Sequence, residues 1–288
     1  MYTDLNVPML IYIGLIHMSA VYGMICIPQC QYETLIWALL LWPISGLGIT
    51  AGAHRLWAHR SYKASFSLRS FLMICNSIAN QGTIYHWARD HRVHHKYAET
   101  SADPHNAKRG FWFSHIGWLF VRKDKDVIEA GGKLPVDDLL LDPVVMFQKQ
   151  VEPWFNLGMC FIFPAIVSTL WGEQFMFGVW VAGSLRYVIV LHSTWCVNSL
   201  AHMYGERPYD DKIHATENSF VSVVAIGEGW HNWHHKYPFD YAASEFGISQ
   251  QFNPTKLFLD MMGMMGLASE FKRATSVWEK TKLARKVH

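Results

Sequence analysis

Four stretches of this chain are apolar for long enough that few folds remain open to it. They cover approximately residues 7–27, 35–53, 154–171 and 175–197, and a helix needs ~20 residues to cross a bilayer. The first contains His17 but no Asp, Glu, Lys or Arg, the second is free of ionisable groups, and the fourth holds a single charge, Arg186. The third is short but is bounded by Trp154 and Trp171, the residue type that gathers at lipid–water boundaries. One such stretch could be a buried core helix. Four argue otherwise, because soluble core helices seldom stay charge-free for so long.

The stretches pair into two hairpins, and neither short connection (28–34 and 172–174) contains Lys or Arg. By contrast, 54–153 carries 14 basic residues and 199–288 carries 10. Positive residues stay on the cytoplasmic side. The expected fold is therefore an all-α integral membrane protein. Four transmembrane helices form two hairpins, capped by a cytosolic helical domain built from segments 54–153 and 198–288, with both termini cytosolic. The first span lacks a basic start and is too long for a signal-peptide core, so it reads as an uncleaved anchor. The stretch from about Lys123 to Asp138, around Gly131-Gly132, reads as a solvated loop. Cys26, Cys30, Cys75, Cys160 and Cys196 are odd in number and mostly sit in apolar runs, as small buried hydrophobes do. A net charge of +2 gives no support for nucleic-acid binding by phosphate neutralisation.

Sixteen histidines are the second constraint. Three clusters stand out: His54-Arg-Leu-Trp-Ala-His59, His91-Arg-Val-His94-His95 and His231-Asn-Trp-His234-His235. On an α-helix, positions i, i+3 and i+4 share a face, so each His-x-x-His-His run aims three imidazoles one way. His54 and His59, five apart, diverge on a regular helix and converge only if the end of the span is distorted. Any single histidine reads as an inert hydrogen-bonder at a membrane interface. Two repeats of a ligand-spaced pattern plus a third pair point to a polynuclear metal site, with iron, copper and zinc all open. A carboxylate-bridged di-iron bundle needs two Glu-x-x-His pairs, and Glu228-Gly-Trp-His231 is the single one found.

The stretches Gly52–His59, Trp87–His95 and Gly227–His235, with Asp103-Pro-His-Asn106, Phe113–Trp118 and Val197–His202, closely resemble the membrane acyl-CoA desaturases of animals. The stearoyl-CoA Δ9 type is the likeness, and insect members look nearest. It extends from the first span to roughly Asn253 and implies a single desaturase domain over 1–288. It also implies two irons bound by His54, His59, His91, His94, His95, His202, His231, His234 and His235, with Asn198 reaching one metal through water. Metal-bound imidazoles need acceptors that fix their tautomer, so His105, and equally Asp103 and Asp90, read as supports behind the ligands, with salt bridging as the plainer role for the two aspartates. Dioxygen would be the co-substrate, with two electrons supplied by cytochrome b5 and its NADH-dependent reductase, in the endoplasmic reticulum membrane.

The same resemblance assigns Trp87, Thr194 and Trp195 to the bend of a substrate tunnel, and Trp42 and Gly46 to its far end. Arg89, Asp90, Arg122 and Lys123 fall at contacts to the coenzyme A headgroup, with Lys108, Arg109 and Lys125 as bystanders. The family's Trp-Arg-Asn at the first span is replaced here by Val7-Pro8-Met9. The expected activity is insertion of a double bond, most simply cis and Δ9, into a fatty acyl-CoA. The alternatives are hydroxylation, another regioselectivity such as Δ11 or action on a monounsaturated chain, and, from a different class, a haem- or metal-binding membrane protein.

Overall fold

The structure is a computed structural model that describes residues 4–286. Its principal helices are α1 (Val7–Cys26), α2 (Tyr32–Ala58), α3 (Phe66–Ala79), α4 (Ile84–Tyr97), α5 (Lys125–Gly132), α6 (Pro143–Val151), α7 (Trp154–Thr169), α8 (Phe175–Met203), α9 (Ser219–Val224), α10 (His231–Lys236), α11 (Pro254–Met264) and α12 (Thr275–Lys286). Among the described residues the one sheet is a two-residue antiparallel pairing, Lys63–Ala64 with Ala268–Ser269. The fold is helical, as the apolar pattern predicts.

The first helix starts where local chemistry allows. The Asn6 side chain accepts from the Met9 N–H at 3.4 Å and Pro8 sits in the first turn, a capped and preorganised start. Ile11, Leu15, Met18, Val21 and Ile25 then lie exposed along α1, as do Ile36, Leu39 and Leu40 on α2. An exposed apolar band of this extent suits lipid rather than water. The tips of the two hairpins are tied by Glu173, whose carboxylate accepts from Gln31 N and Thr34 Oγ1, each at 2.8 Å.

The spans differ from the expected boundaries in an instructive way. Three helical runs are long and apolar enough to cross a membrane: Val7–Gln29, Tyr32–Ala58 and Phe175–Met203. The second and third outrun their predicted ends at 53 and 197, because the polar residues there are buried within the protein rather than marking water. The expected span at 154–171 does not stand by itself. α7 ends at Thr169 and reaches span length only together with α6, to which it is bent by 84°. The expected loop at 123–138 is also corrected. Asp124 accepts from Asp126 N at 3.2 Å and starts α5, which buries Val127 and Ala130.

Both long spans contain a wide-wound stretch, at the polar end of α2 and within the apolar first half of α8. Residues Gly48–Ala58 of α2 and Gly178–Leu185 of α8 adopt π-helix. Gly48 permits this locally, since a Cβ there would lie 2.0 Å from Asn76 N on α3. Arg186, 1% exposed, locks the second distortion by donating to Ile78 O, Cys160 O and Ala182 O at 2.8–3.1 Å.

Candidate metal centre

The π stretch resolves the awkward spacing of His54 and His59. In an α-helix a step of five places side chains ~140° apart; bonding from i to i+5 widens the turn and brings them nearly into line. The His59 N–H donates to His54 O at 3.0 Å, the ring-closing bond of that geometry. Arg92 caps the end of α2 by donating to Trp57 O and Ala58 O at 2.7 and 3.1 Å.

All nine predicted histidines converge, but as two groups. His54, His59, His91, His95 and His234 have ligand nitrogens within 4.8 Å of one another, and so do His94, His202, His231 and His235. Each His-x-x-His-His run is shared between the groups. Its i and i+4 members enter one group, and its i+3 member crosses to the other. The expectation that all three point to one place is thus refined: the helix turn straddles two neighbouring centres.

The donor chemistry fits metal ions. Within the first group the Nε2 atoms of His54 and His234, His59 and His91, and His95 and His234 are each 2.9 Å apart. Within the second, Nε2 atoms lie 3.1 Å apart for His202–His231 and His231–His235, and 3.4 Å for His94–His235. Nitrogens bound to one ion at about 2.0–2.1 Å and separated by right to tetrahedral angles would be about 2.9–3.4 Å apart. Burial, reinforced by neighbouring imidazoles, pushes His59, His91, His95, His231, His234 and His235 well below the ordinary imidazole value. Their lone pairs are therefore available as ligands at neutral pH.

Carboxylates behind the rings set which nitrogen faces inward. Glu228 Oε2 is 2.9 Å from His54 Nδ1, Asp103 Oδ1 is 2.9 Å from His94 Nδ1, and Glu99 Oε1 is 3.5 Å from His202 Nδ1. An acceptor on Nδ1 fixes its proton there and leaves Nε2 free. Burial would raise the Glu228 carboxyl, but Arg55 and His54 bring it down to about 2. Asp103, held low by His94 against its own burial, also accepts from Glu99 N at 2.8 Å. His105 packs edge-on to Trp118, with Nδ1 3.6 Å from Asp103, and burial lowers it to about 3. Asp103 was legible from its motif. Glu99 and the Arg55–Glu228 pair were not, although Glu228 stood in a visible Glu-x-x-His.

Two cavities that share Trp87, His91, Thr194 and Asn198 in their walls reach the histidines. A narrow inner one, about 50 Å³, is lined by Trp42, Gly46, Trp87, Thr194 and Asn198 together with His54, His91 and His231. A wide outer one, about 570 Å³, is lined by Trp87, Thr194 and Trp195 and also by Asp90, Arg122 and Lys123. The junction is held by Gln81, a residue that belongs to none of the motifs. Gln81 accepts from Trp87 Nε1 at 3.3 Å and donates to Thr194 Oγ1 at 2.8 Å. Arg89 lies off the cavity wall, donating to Asp90 Oδ1 at 2.9 Å, while Lys123 donates to Asp90 Oδ2. Asn6, at the start of α1, and Arg109 line the outer cavity as well.

Comparison with known proteins gives the same direction. A family model described as fatty acid desaturase matches residues 34–247. Stearoyl-CoA desaturase 5 of Bos taurus is 55% identical over 273 residues, covering 94% of this chain and 81% of the relative. The acyl-CoA desaturase of Cyprinus carpio is 54% identical over 92% of this chain and 81% of its own length. Human stearoyl-CoA desaturase is 51% identical over 92% of this chain and 74% of its own length.

Proposed function

Since the chain belongs to the fatty acid desaturase family, we propose that it is an acyl-CoA desaturase that inserts a cis double bond of the Δ9 type. The observation carrying this reading is the pair of histidine groups at the wall of a narrow, largely apolar cavity. His54, His59, His91, His95 and His234 would hold one iron, and His94, His202, His231 and His235 the other, with Asn198 reaching a metal through water.

The irons, when bound, supply with dioxygen an oxidant strong enough to take hydrogen from an unactivated methylene. Everything else falls to the protein, which positions one pair of carbons and excludes its neighbours. Trp87, Gln81, Thr194 and Trp195 form the bend between the two cavities, and Trp42 and Gly46 flank the inner one. Asp90, Arg122 and Lys123, with Arg109 and Asn6, face the wider cavity where a phosphate-bearing headgroup would sit. Arg89 acts through Asp90. Dioxygen takes four electrons to become two waters. The two C–H bonds supply two of them, and cytochrome b5, fed by its NADH-dependent reductase, the other two. The apolar helices support residence in the endoplasmic reticulum membrane, with α6 and α7 together completing four spans in two hairpins. The basic residues of 54–153 and 199–288 favour both termini in the cytosol.

Expression in desaturase-deficient yeast supplied with labelled saturated acyl chains tests this. A new olefin with loss of two hydrogens is expected. Iron-loaded protein that forms no olefin, or a product that gains oxygen instead, overturns it.

A further inference from the structure

Ile226 occupies a backbone conformation that β-branched residues avoid. Its φ is +45°, where the side chain crowds its own backbone and Gly or Asn is the usual occupant. The conformation is held from outside. The Ile226 carbonyl accepts from Thr255 N at 3.2 Å and Thr255 Oγ1 at 2.8 Å. Thr255 Oγ1 is in turn 2.8 Å from Thr50 Oγ1, on the wall of the inner cavity. Such a residue persists where its surroundings over-determine it, and here the result is a rigid isoleucine presented to that cavity, 6% exposed.

Across from it, α2 has a glycine. A Cβ on Gly46 would lie 2.9 Å from Ile226 Cδ1 and 3.5 Å from its Cγ1. The two residues are complementary: the side chain missing from one wall makes room for the side chain projecting from the other. With Trp42 on α2 and Val224 and Ala225 beside Ile226, they make a largely apolar stretch of the cavity wall.

We propose that Ile226 is a specificity-determining residue that, seated against Gly46, blocks further penetration of the acyl chain and sets the chain length the inner cavity accepts. This rests on the acyl-chain reading of the cavity given above. Because the Ile226 backbone is pinned through Thr255 and β-branching stiffens the side chain at χ1, the wall resists swinging aside, so length is enforced by shape. One methylene in an apolar pocket changes discrimination by about 10–200-fold, and Ile226→Ala removes three carbons from the wall.

The test is expression of wild type, Ile226→Ala, Ile226→Gly, Gly46→Ala and the Gly46→Ala/Ile226→Ala double variant in desaturase-deficient yeast. Saturated acids of increasing even length are supplied, and olefins are resolved by gas chromatography–mass spectrometry. Ile226→Ala and Ile226→Gly should move the preferred substrate about two carbons longer, with at least a tenfold change in the long-to-short product ratio. Gly46→Ala should move it shorter, and the double variant should return towards wild type. Glycine suits φ +45° better than isoleucine, so Ile226→Gly tests the wall while relieving the strain. Olefins with wild-type length preference from both Ile226 variants overturn the proposal, as does failure of both to accumulate, which would make Ile226 a folding residue. Absence of any olefin from wild type overturns the underlying desaturase reading instead.

Discussion

Glu228 joins two consecutive residues of α2 that do different jobs. One of its oxygens lies 2.9 Å from His54 Nδ1 and the other accepts from Arg55 Nη2 at 2.7 Å. Arg55 is itself anchored on Tyr241 O and Asn253 Oδ1. The carboxylate is therefore aimed before any metal arrives. Glu228→Gln keeps the size but loses the charge, and should weaken metal binding about 10–100-fold. Metal retained after graded chelation, measured by mass spectrometry of the purified protein, checks this independently of turnover.

The division of the histidines into groups of five and four makes a stoichiometric prediction. His202→Ala and His59→Ala each damage one group. Each should reduce bound metal towards half while leaving the other group's ion in place, because each ion is held by its own ligand set. Metal-to-protein ratios check it; complete loss from either variant would mean the two groups do not bind separately.

The Trp87–Gln81–Thr194 chain of hydrogen bonds sits where the inner and outer cavities join. Gln81→Leu removes both bonds, each worth about 0.5–1.5 kcal/mol, and lets the indole move. Double bonds should then appear at neighbouring carbons in addition to the main position. Mass spectrometry of derivatised olefins reads the positions directly.

Arg186 is buried among three carbonyls and, among the described residues, makes no ion pair with a carboxylate. Arg186→Met should leave these acceptors without a donor, at about 1–3 kcal/mol for each one that stays unsatisfied. Thermal stability in detergent, followed by size-exclusion chromatography, should fall markedly although the residue touches no histidine of the centre.

Glu217 supplies a pH dependence. Burial pushes its carboxyl up from 4.5 to about 8, even though Trp233 N donates to it at 2.9 Å. The folded state then binds a proton that the unfolded state has released, so this group's contribution to stability falls as pH rises from about 4.5 to about 8. Glu217→Gln should flatten the thermal stability profile over that window. A parallel decline in the variant would refute the assignment.

Much of this was written in local pattern. Apolar runs marked three of the spans, and the two His-x-x-His-His runs marked six of the histidines, because both follow from helical periodicity; His54 and His59 broke that periodicity, and His202 was reached only through the family resemblance. What escaped depends on events between segments. The extension of α2 to Ala58 could not be read because His54 and Arg55 look like the end of a span, and become interior residues only once Glu228 arrives from far along the chain. α7 looked like an independent span because hydropathy does not register an 84° bend between helices. Gln81 and Ile226 carry no chemical signature; a hydrogen bond in one case and a backbone angle in the other give them a place.

The turn from Ser222 to Glu228 carries Ile226 and, two residues later, the carboxylate behind His54. The Gly227 N–H donates to Ser222 O at 2.7 Å, and a Cβ on Gly227 would meet Asn253 Oδ1 at 2.4 Å, so the turn is closed on itself and packed tightly against Asn253. The proposed length wall and the support behind His54 thereby share one turn. A lineage drifting towards longer acyl chains by reshaping this turn would disturb the carboxylate behind His54, whereas a change at Gly46, about two turns before His54 on α2, would reach the cavity wall without touching that carboxylate. Diversification of substrate length is accordingly expected to proceed first from the α2 wall.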